Sequence, residues 1–247
     1  MKKLVFGLIA TVFMSIASFG QTNDPSNPKN EYDYVGKTHN VALIKLLESD
    51  KEKELFSKNP TEYSIKILES SNIPSNGFIS IIGDENVINK LGAFEINKTS
   101  FSLNEIATWY DEKYISKDVK MYLENLLEIV EGFEKNNDYS ILKNRIIELE
   151  DNSNELNEND RVFVLSVSSL TRYSFSFWIA NSNSLSARGS IRNAAVADLA
   201  GAVGGGVRTA VVCAFTGPVG WGAWCGAVIG SGLGASAAYG IVCWLGN

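Results

Sequence analysis

The clearest helical pattern in the chain is SKDVKMYLENLLEIVEGF, residues 116–133. Its apolar side chains recur every three or four residues, which places them on one face of a helix and the charged side chains elsewhere. The apolar set comprises Val119, Tyr122, Leu123, Leu126, Leu127 and Val130. The stretch therefore predicts an amphipathic helix and, around it, a mainly α fold.

Similar patterns lie on both sides of this helix. A broad apolar stripe begins near Thr38, and Asn59-Pro60 is a typical helix boundary because proline fits only the first turn of a helix. Residues 139–149 repeat the same spacing. We predict an acidic helical domain over residues 38–180.

Residues 161–180 are compatible with two structures. Tyr173, Phe175 and Phe177 alternate with polar residues as in a strand. However, about 20 residues without Gly or Pro exceed the usual length of a strand. We favour a helix that is entered at Asn159 or Asp160.

The N-terminus predicts export. Lys2 and Lys3 precede an uncharged, mostly apolar stretch, and the small residues Ser18 and Gly20 suit a signal-peptidase site before Gln21. The apolar stretch is shorter than the roughly 20 residues that a membrane span needs. Residues 1–20 are therefore predicted to be a signal peptide. Residues 21–37, rich in Asn, Asp, Pro and Ser, are predicted to be a disordered lead-in.

Charge divides the remaining chain. Residues 21–192 hold 27 acidic and 19 basic side chains, so no nucleic-acid partner is predicted. Residues 193–247 hold only Asp198 and Arg208. The Ser/Asn-rich residues 181–192 are predicted to be a hinge between the acidic domain and a Gly/Ala-rich tail.

The tail contains small residues at a strict spacing of four. They are Gly222, Gly226, Gly230, Gly234 and Ala238, and Ala197, Gly201 and Gly205 repeat the spacing upstream. On a helix such residues form a groove into which another helix backbone fits closely. Because each glycine costs about 1 kcal/mol of helix propensity relative to alanine, we expect close packing or a membrane to offset the loss.

Gly217-Pro218 interrupts the tail and predicts a helical hairpin over residues 193–247. Cys213 and Cys225 lie nearly symmetrically about this turn. They are interpreted either as a disulfide across the hairpin or as two small buried thiols. No zinc spacing is present among the cysteines, and no metal or cofactor is predicted.

Two interpretations of the hairpin remain open. Trp221, Trp224 and Trp244 are typical of membrane-interface anchors, but they equally fit a packed core. In the first interpretation the hairpin associates with a membrane or with itself, and the helical domain holds it soluble or delivers it. In the second, the protein is a secreted helical binding or structural module whose hairpin packs on the body.

The tail resembles glycine-zipper segments and the small Gly/Ala-rich, cysteine-containing peptides of class II bacteriocins. Ala200 to Gly206, Gly217-Pro218 and the row from Gly222 to Gly234 carry the resemblance. It implies a membrane-active or self-assembling segment. Tyr32 to Gly36 and His39-Asn40 resemble the mature start of exported proteins of Bacteroidota, which implies a secreted or envelope protein without indicating an activity.

No catalytic residues are predicted, and a non-enzymatic function is expected. His39 is the only histidine, and its place near a helix start predicts a capping or surface role. The glycines of residues 201–206 are not followed by the Lys-Ser/Thr pair of a phosphate-binding loop. Glu148 and Glu150 are predicted to be surface charges.

Replacing Gly226 and Gly230 together by leucine tests the close-packing hypothesis. The two isobutyl groups would fill the groove, so we expect disturbed folding, assembly or lipid association. Thermal unfolding, size-exclusion chromatography and vesicle co-sedimentation measure the three effects. A double variant that matches the parent in all three would refute the hypothesis.

Overall fold

The computed structural model describes residues 24–73, 115–136, 138–181, 191–216 and 225–233. Helices joined by turns and caps make up this part of the chain, which contains no strand, so the predicted mainly α fold is confirmed. In chain order the helices are α1 (Tyr34–Glu48), α2 (Asp50–Lys58), α3 (Pro60–Ser70), α4 (Lys117–Asn136), α5 (Tyr139–Asp151), a short 3-10 helix (Asn152–Glu155), α6 (Glu158–Ala180), α7 (Ile191–Thr216) and α8 (residues 225–233).

Local polar residues set several helix starts. The side chain of Asn59 accepts a hydrogen bond from the Glu62 amide at 3.1 Å, and Pro60 occupies the first turn of α3, which confirms the boundary predicted there. Asn157 caps α6 in the same way, accepting from the amide of Asp160 at 3.1 Å. The helix predicted over residues 161–180 is confirmed, and it begins slightly earlier than expected.

Helix α6 is the centre of the fold. Every residue from 162 to 175 is buried, so this part of the helix is covered on all sides. It packs against α1, α4, α5 and α7. A helix enclosed in this way must satisfy its polar side chains inside the protein, because water does not reach them.

Helix α6 also meets a simple test for a membrane span. Among the helices of the described residues, α6 alone is long and apolar enough to cross a bilayer. Of the 18-residue apolar stretch that meets this criterion, 89% is buried inside the fold. Core helices pass the same test, so this result is weak evidence for a membrane span.

The N-terminal segment differs from its prediction. Residues 24–37 are not a disordered lead-in, since residues 24–33 form turns and α1 begins at Tyr34. The amide of Asn30 donates to the carbonyl of Asn27 at 3.0 Å, and both asparagine side chains are buried. Their burial follows from polar partners on α5 and α6, which a local composition argument does not contain.

The described part of the tail belongs to the same core as the acidic domain. Residues 194–206 of α7 and nearly all of α8 are buried, and their apolar side chains form one cluster with those of α1 to α6. A Cβ atom added at Gly205 would clash with the backbone carbonyl of Ala227, so α7 and α8 meet backbone to backbone. The change in composition after residue 192 is therefore not a division between two cores.

Substituting Gly205 by alanine tests this contact. Because the obstructing atom is a backbone oxygen, we expect the free energy of unfolding to fall by about 1–3 kcal/mol. Gly132→Ala on α4 is the matched control, since its added Cβ would meet only the flexible end of Arg145 at 3.3 Å. The control should gain up to about 1 kcal/mol of helix propensity. Urea denaturation measures both, and equal stabilisation would contradict the close contact.

Candidate functional site

Arg172 is a charged residue buried inside the central helix. Its side chain is 0% exposed. One terminal nitrogen, Nη2, lies 2.6 Å from Asp33 Oδ1 and 3.0 Å from Glu150 Oε1, and Nε donates to the same Glu150 oxygen at 3.2 Å. The other, Nη1, donates to the carbonyl of Pro25. This guanidinium thus joins α6 to α5 and to the N-terminal segment.

Glu150 is held equally closely. Asn27 Nδ2 donates to one carboxylate oxygen at 2.6 Å, and Asn30 Nδ2 donates to the other at 2.7 Å. Burial raises the pKa of Glu150 above its ordinary value, while Arg172 and Asn27 oppose that rise. The pKa of Arg172 is raised, since the carboxylates of Glu150 and Asp33 outweigh the effect of its own burial. The prediction that Glu150 is a surface charge is wrong, because α5 turns this residue toward Arg172.

A polar cleft of about 160 Å³ opens beside this cluster. Its lining comprises Asn27, Lys29, Asn30, Glu150, Asp151, Ser153, Asn154, Arg161 and Leu165. Most of these groups bond to one another; for example, Lys29 Nζ lies 3.1 Å from Asp151 Oδ2. Arg161 Nε is buried without a hydrogen-bond partner. One unsatisfied donor does not define a ligand, and the described residues contain no group of three metal-ligating side chains.

A second buried cluster surrounds Asp198 of α7. Its Oδ2 atom accepts hydrogen bonds from Ser174 Oγ and, at 2.9 Å, from Trp178 Nε1, both on α6. His39 Nε2 lies 4.0 Å from the same oxygen, and both side chains are 0% exposed. Asp198 Oδ1 has no hydrogen-bond partner.

The predicted capping or surface role of His39 is wrong. Because α1 begins at Tyr34, residue 39 falls inside the helix and faces the tail instead of the solvent. Burial lowers the pKa of His39 to about 4, with smaller opposing effects from Asn40 and the backbone of Gly232. Burial raises the pKa of Asp198 to about 8, against the hydrogen bonds from Ser174 and Trp178. Each group therefore favours its uncharged form.

The arrangement of serine, histidine and aspartate here is not that of a nucleophilic triad. In such a triad the serine hydroxyl bonds to the histidine, which is oriented by the carboxylate. Here Ser174 Oγ donates directly to Asp198, and all three side chains are buried. This geometry provides a structural polar contact and no exposed nucleophile.

Cys225 lies in α8 as a free, buried thiol. The hydroxyl of Tyr34 donates to its sulfur at 3.1 Å, and Ser166 Oγ lies 3.7 Å away. Burial raises the pKa of this thiol. Of the two alternatives for Cys225, a disulfide with Cys213 or a small buried thiol, the structure fits the thiol, because the sulfur contacts hydroxyls of α1 and α6. The side chain of Cys213 lies outside the described residues.

The predicted helix-packing residues are only partly described. Gly226 and Gly230 lie in α8 and are buried. The remaining predicted positions lie outside the described residues: Gly222, Gly234, Ala238, Trp221, Trp224 and Trp244.

Sequence reasoning missed Arg172 and Asp198 as buried polar centres. A signal was present in each case, because Arg172 interrupts an apolar stretch and Asp198 is the only acidic residue of the tail. It also missed the close contact of Gly36 with α6, where an added Cβ would lie 2.5 Å from the Ser169 carbonyl oxygen.

Replacing Arg172 by methionine tests the ion cluster. The carboxylate of Glu150 would lose its buried counter-charge, so we expect the free energy of unfolding to fall by about 3–5 kcal/mol. Arg161→Met on the same helix is the matched control: its partner Glu31 is 51% exposed, and the expected change is about 0–1 kcal/mol. Urea denaturation at neutral pH compares the two. Similar small losses would show that the buried cluster does not stabilise the fold.

Comparison with known proteins supplies no relative from which a role could be transferred. No protein family, curated protein or solved structure matches this chain.

Proposed function

We propose that the protein is an exported, non-enzymatic helical module whose Gly/Ala-rich tail is held inside its own body. The observation that carries this proposal is the burial of residues 194–206 and 225–233 in the core shared with α1 and α6. Export is inferred from the signal-peptide pattern of residues 1–20. We infer a binding or structural role for this module.

The contacts of the tail support this arrangement. The apolar side chains in the described part of the tail are already buried within the protein. This burial stabilises the packed state by roughly 25 cal/mol per Å² of apolar surface. Asp198 accepts hydrogen bonds from Ser174 and Trp178, which both lie on α6. Release of the tail would break these bonds and expose the apolar surface of α6. Insertion into a membrane therefore competes with a packed native state.

Membrane association or self-assembly of the tail is the second candidate. It is favoured by the 39 residues from Thr209 to Asn247, which carry no charged side chain, and by the glycine row from Gly222 to Gly234. The resemblance to class II bacteriocins supports the same role. In this case α6 and its neighbours act as a holder that keeps the tail soluble until it is released.

Hydrogen exchange tests whether the tail is held in the body. The amides of residues 194–206 and 225–233 should exchange only through global unfolding, as those of α6 do, because they share its core. Amides of α2 serve as the internal reference for local opening, since several of its side chains are exposed. Mass spectrometry of the full chain at neutral pH measures all three regions. Tail amides that exchange as fast as those of α2 would contradict the proposal.

Vesicle co-sedimentation decides between the two candidates. The full chain should remain in the supernatant with phosphatidylethanolamine–phosphatidylglycerol vesicles at neutral pH if the tail stays packed. Gly205→Ala, which loosens the contact between α7 and α8, is the informative variant. Binding by this variant alone would support a membrane role that requires release, whereas binding by the unaltered chain would favour the second candidate outright.

A further inference from the structure

The only histidine of the chain meets the only acidic residue of its last 55 residues. His39 Nε2 and Asp198 Oδ2 lie 4.0 Å apart, and both side chains are 0% exposed. His39 belongs to the body and Asp198 to the tail. Two titratable side chains, one from the acidic domain and one from the Gly/Ala-rich tail, thus meet in the interior of the protein.

Four helices enclose this contact. α1 supplies His39, α6 supplies Ser174 and Trp178, α7 supplies Asp198, and α8 supplies the backbone of Gly232 beside the imidazole. A Cβ atom at Gly232 would lie 3.4 Å from the ring of His39 and 2.8 Å from Leu170. The glycine thereby lets α8 pack closely against His39. One carboxyl oxygen, Asp198 Oδ1, has no hydrogen-bond partner.

We propose that His39 and Asp198 form a proton-dependent joint, in which a proton on Asp198 keeps the carboxyl uncharged beside a neutral His39 and the tail fastened to the body. The proposal rests on the packed arrangement proposed above and adds to it a condition for release. Among the described residues, the hydrogen bonds to this carboxyl come from Ser174 and Trp178, so loss of the proton leaves a buried carboxylate with incomplete pairing. A charge buried with incomplete pairing disfavours the closed state.

Within the described part of the chain, no charged side chain is among the causes that shift the pKa of either group. The effects on Asp198 come from burial, Ser174 and Trp178, and those on His39 from burial, Asn40 and Gly232. The charges of Arg172, Glu150 and Asp33 are engaged with one another in the separate cluster on α6. Burial thus shifts the pKa of each group in the direction that favours its neutral form, against smaller opposing effects of uncharged neighbours.

The dependence on pH follows from counting protons. The folded pair binds one proton between pH values of about 4 and 8, because the pKa of His39 is lowered to about 4 and that of Asp198 is raised to about 8. In the unfolded chain the ordinary values of 6.5 and 3.8 apply. Folded and unfolded pairs then bind equal numbers of protons from about pH 4 to 6.5. Above that range the folded pair binds one more, so stability falls as the pH rises through 8.

Asp198→Asn and His39→Gln should change the pH dependence of stability in opposite directions. Asp198→Asn leaves only the histidine, whose lowered pKa makes the fold less stable as the pH falls from about 6.5 to 4. His39→Gln leaves only the carboxyl, whose raised pKa makes the fold less stable as the pH rises from about 4 to 8. The unaltered pair should be insensitive between pH values of about 4 and 6.5.

Unfolding of the full chain by urea, measured between pH 5 and 9, tests the joint. The pair should raise the unfolding constant of the unaltered chain about thirtyfold across this range, mostly between pH 6.5 and 8. Other titratable groups also contribute to the pH dependence of the unfolding constant, and comparison with Asp198→Asn removes their contribution. This variant should not show the rise between pH 6.5 and 8. Equal pH profiles for the unaltered chain and both variants would overturn the proposal.

Nuclear magnetic resonance of the unaltered chain gives a second readout that does not depend on the variants folding. One histidine produces one set of imidazole signals, so the titration of His39 is directly visible. We expect its signals to remain those of a neutral ring down to about pH 5. An ordinary titration near pH 6.5 would refute the joint while protected tail amides would still support the proposed function.

Discussion

The structure depends on the enclosure of α6 on all sides. A helix with no face toward water needs neighbours in every direction, and this requirement draws α1, α4, α5 and α7 into one core. Its polar side chains then need partners within the protein, since unpaired buried groups are strongly unfavourable. The Arg172 cluster, the Asp198 cluster and the contact between Ser166 and Cys225 all meet that need.

These polar contacts require particular partners, whereas the apolar contacts tolerate substitution. Apolar side chains of similar volume could exchange places with modest loss of stability, whereas Arg172 requires Glu150 and Asp33 at defined positions. The N-terminal segment is fastened by Pro25, Asn27 and Asn30 to this one cluster. The tail is fastened to the other cluster through Asp198. Helix α6 thus positions both the N-terminal segment and the tail.

The glycines of the tail have a related role. Gly205 permits α7 and α8 to approach backbone to backbone, and Gly232 brings α8 against His39 and Leu170. Missing side chains therefore do within this fold what they do in membrane helix pairs, namely bring backbones together. The same composition would suit both proposed states of the tail, packed in the body and released from it.

The sequence by itself determined the helical class, the boundary at Asn59-Pro60 and the small-residue spacing that includes Gly205, because periodicity, caps and missing side chains are local properties. Length also distinguished helix from strand over residues 161–180. Only the tertiary structure decided that residues 24–33 are ordered, that His39 and Glu150 are buried, and that Cys225 is a free thiol. Each of these depends on a partner more than 100 residues away in the chain, and local patterns contain no information about such a partner.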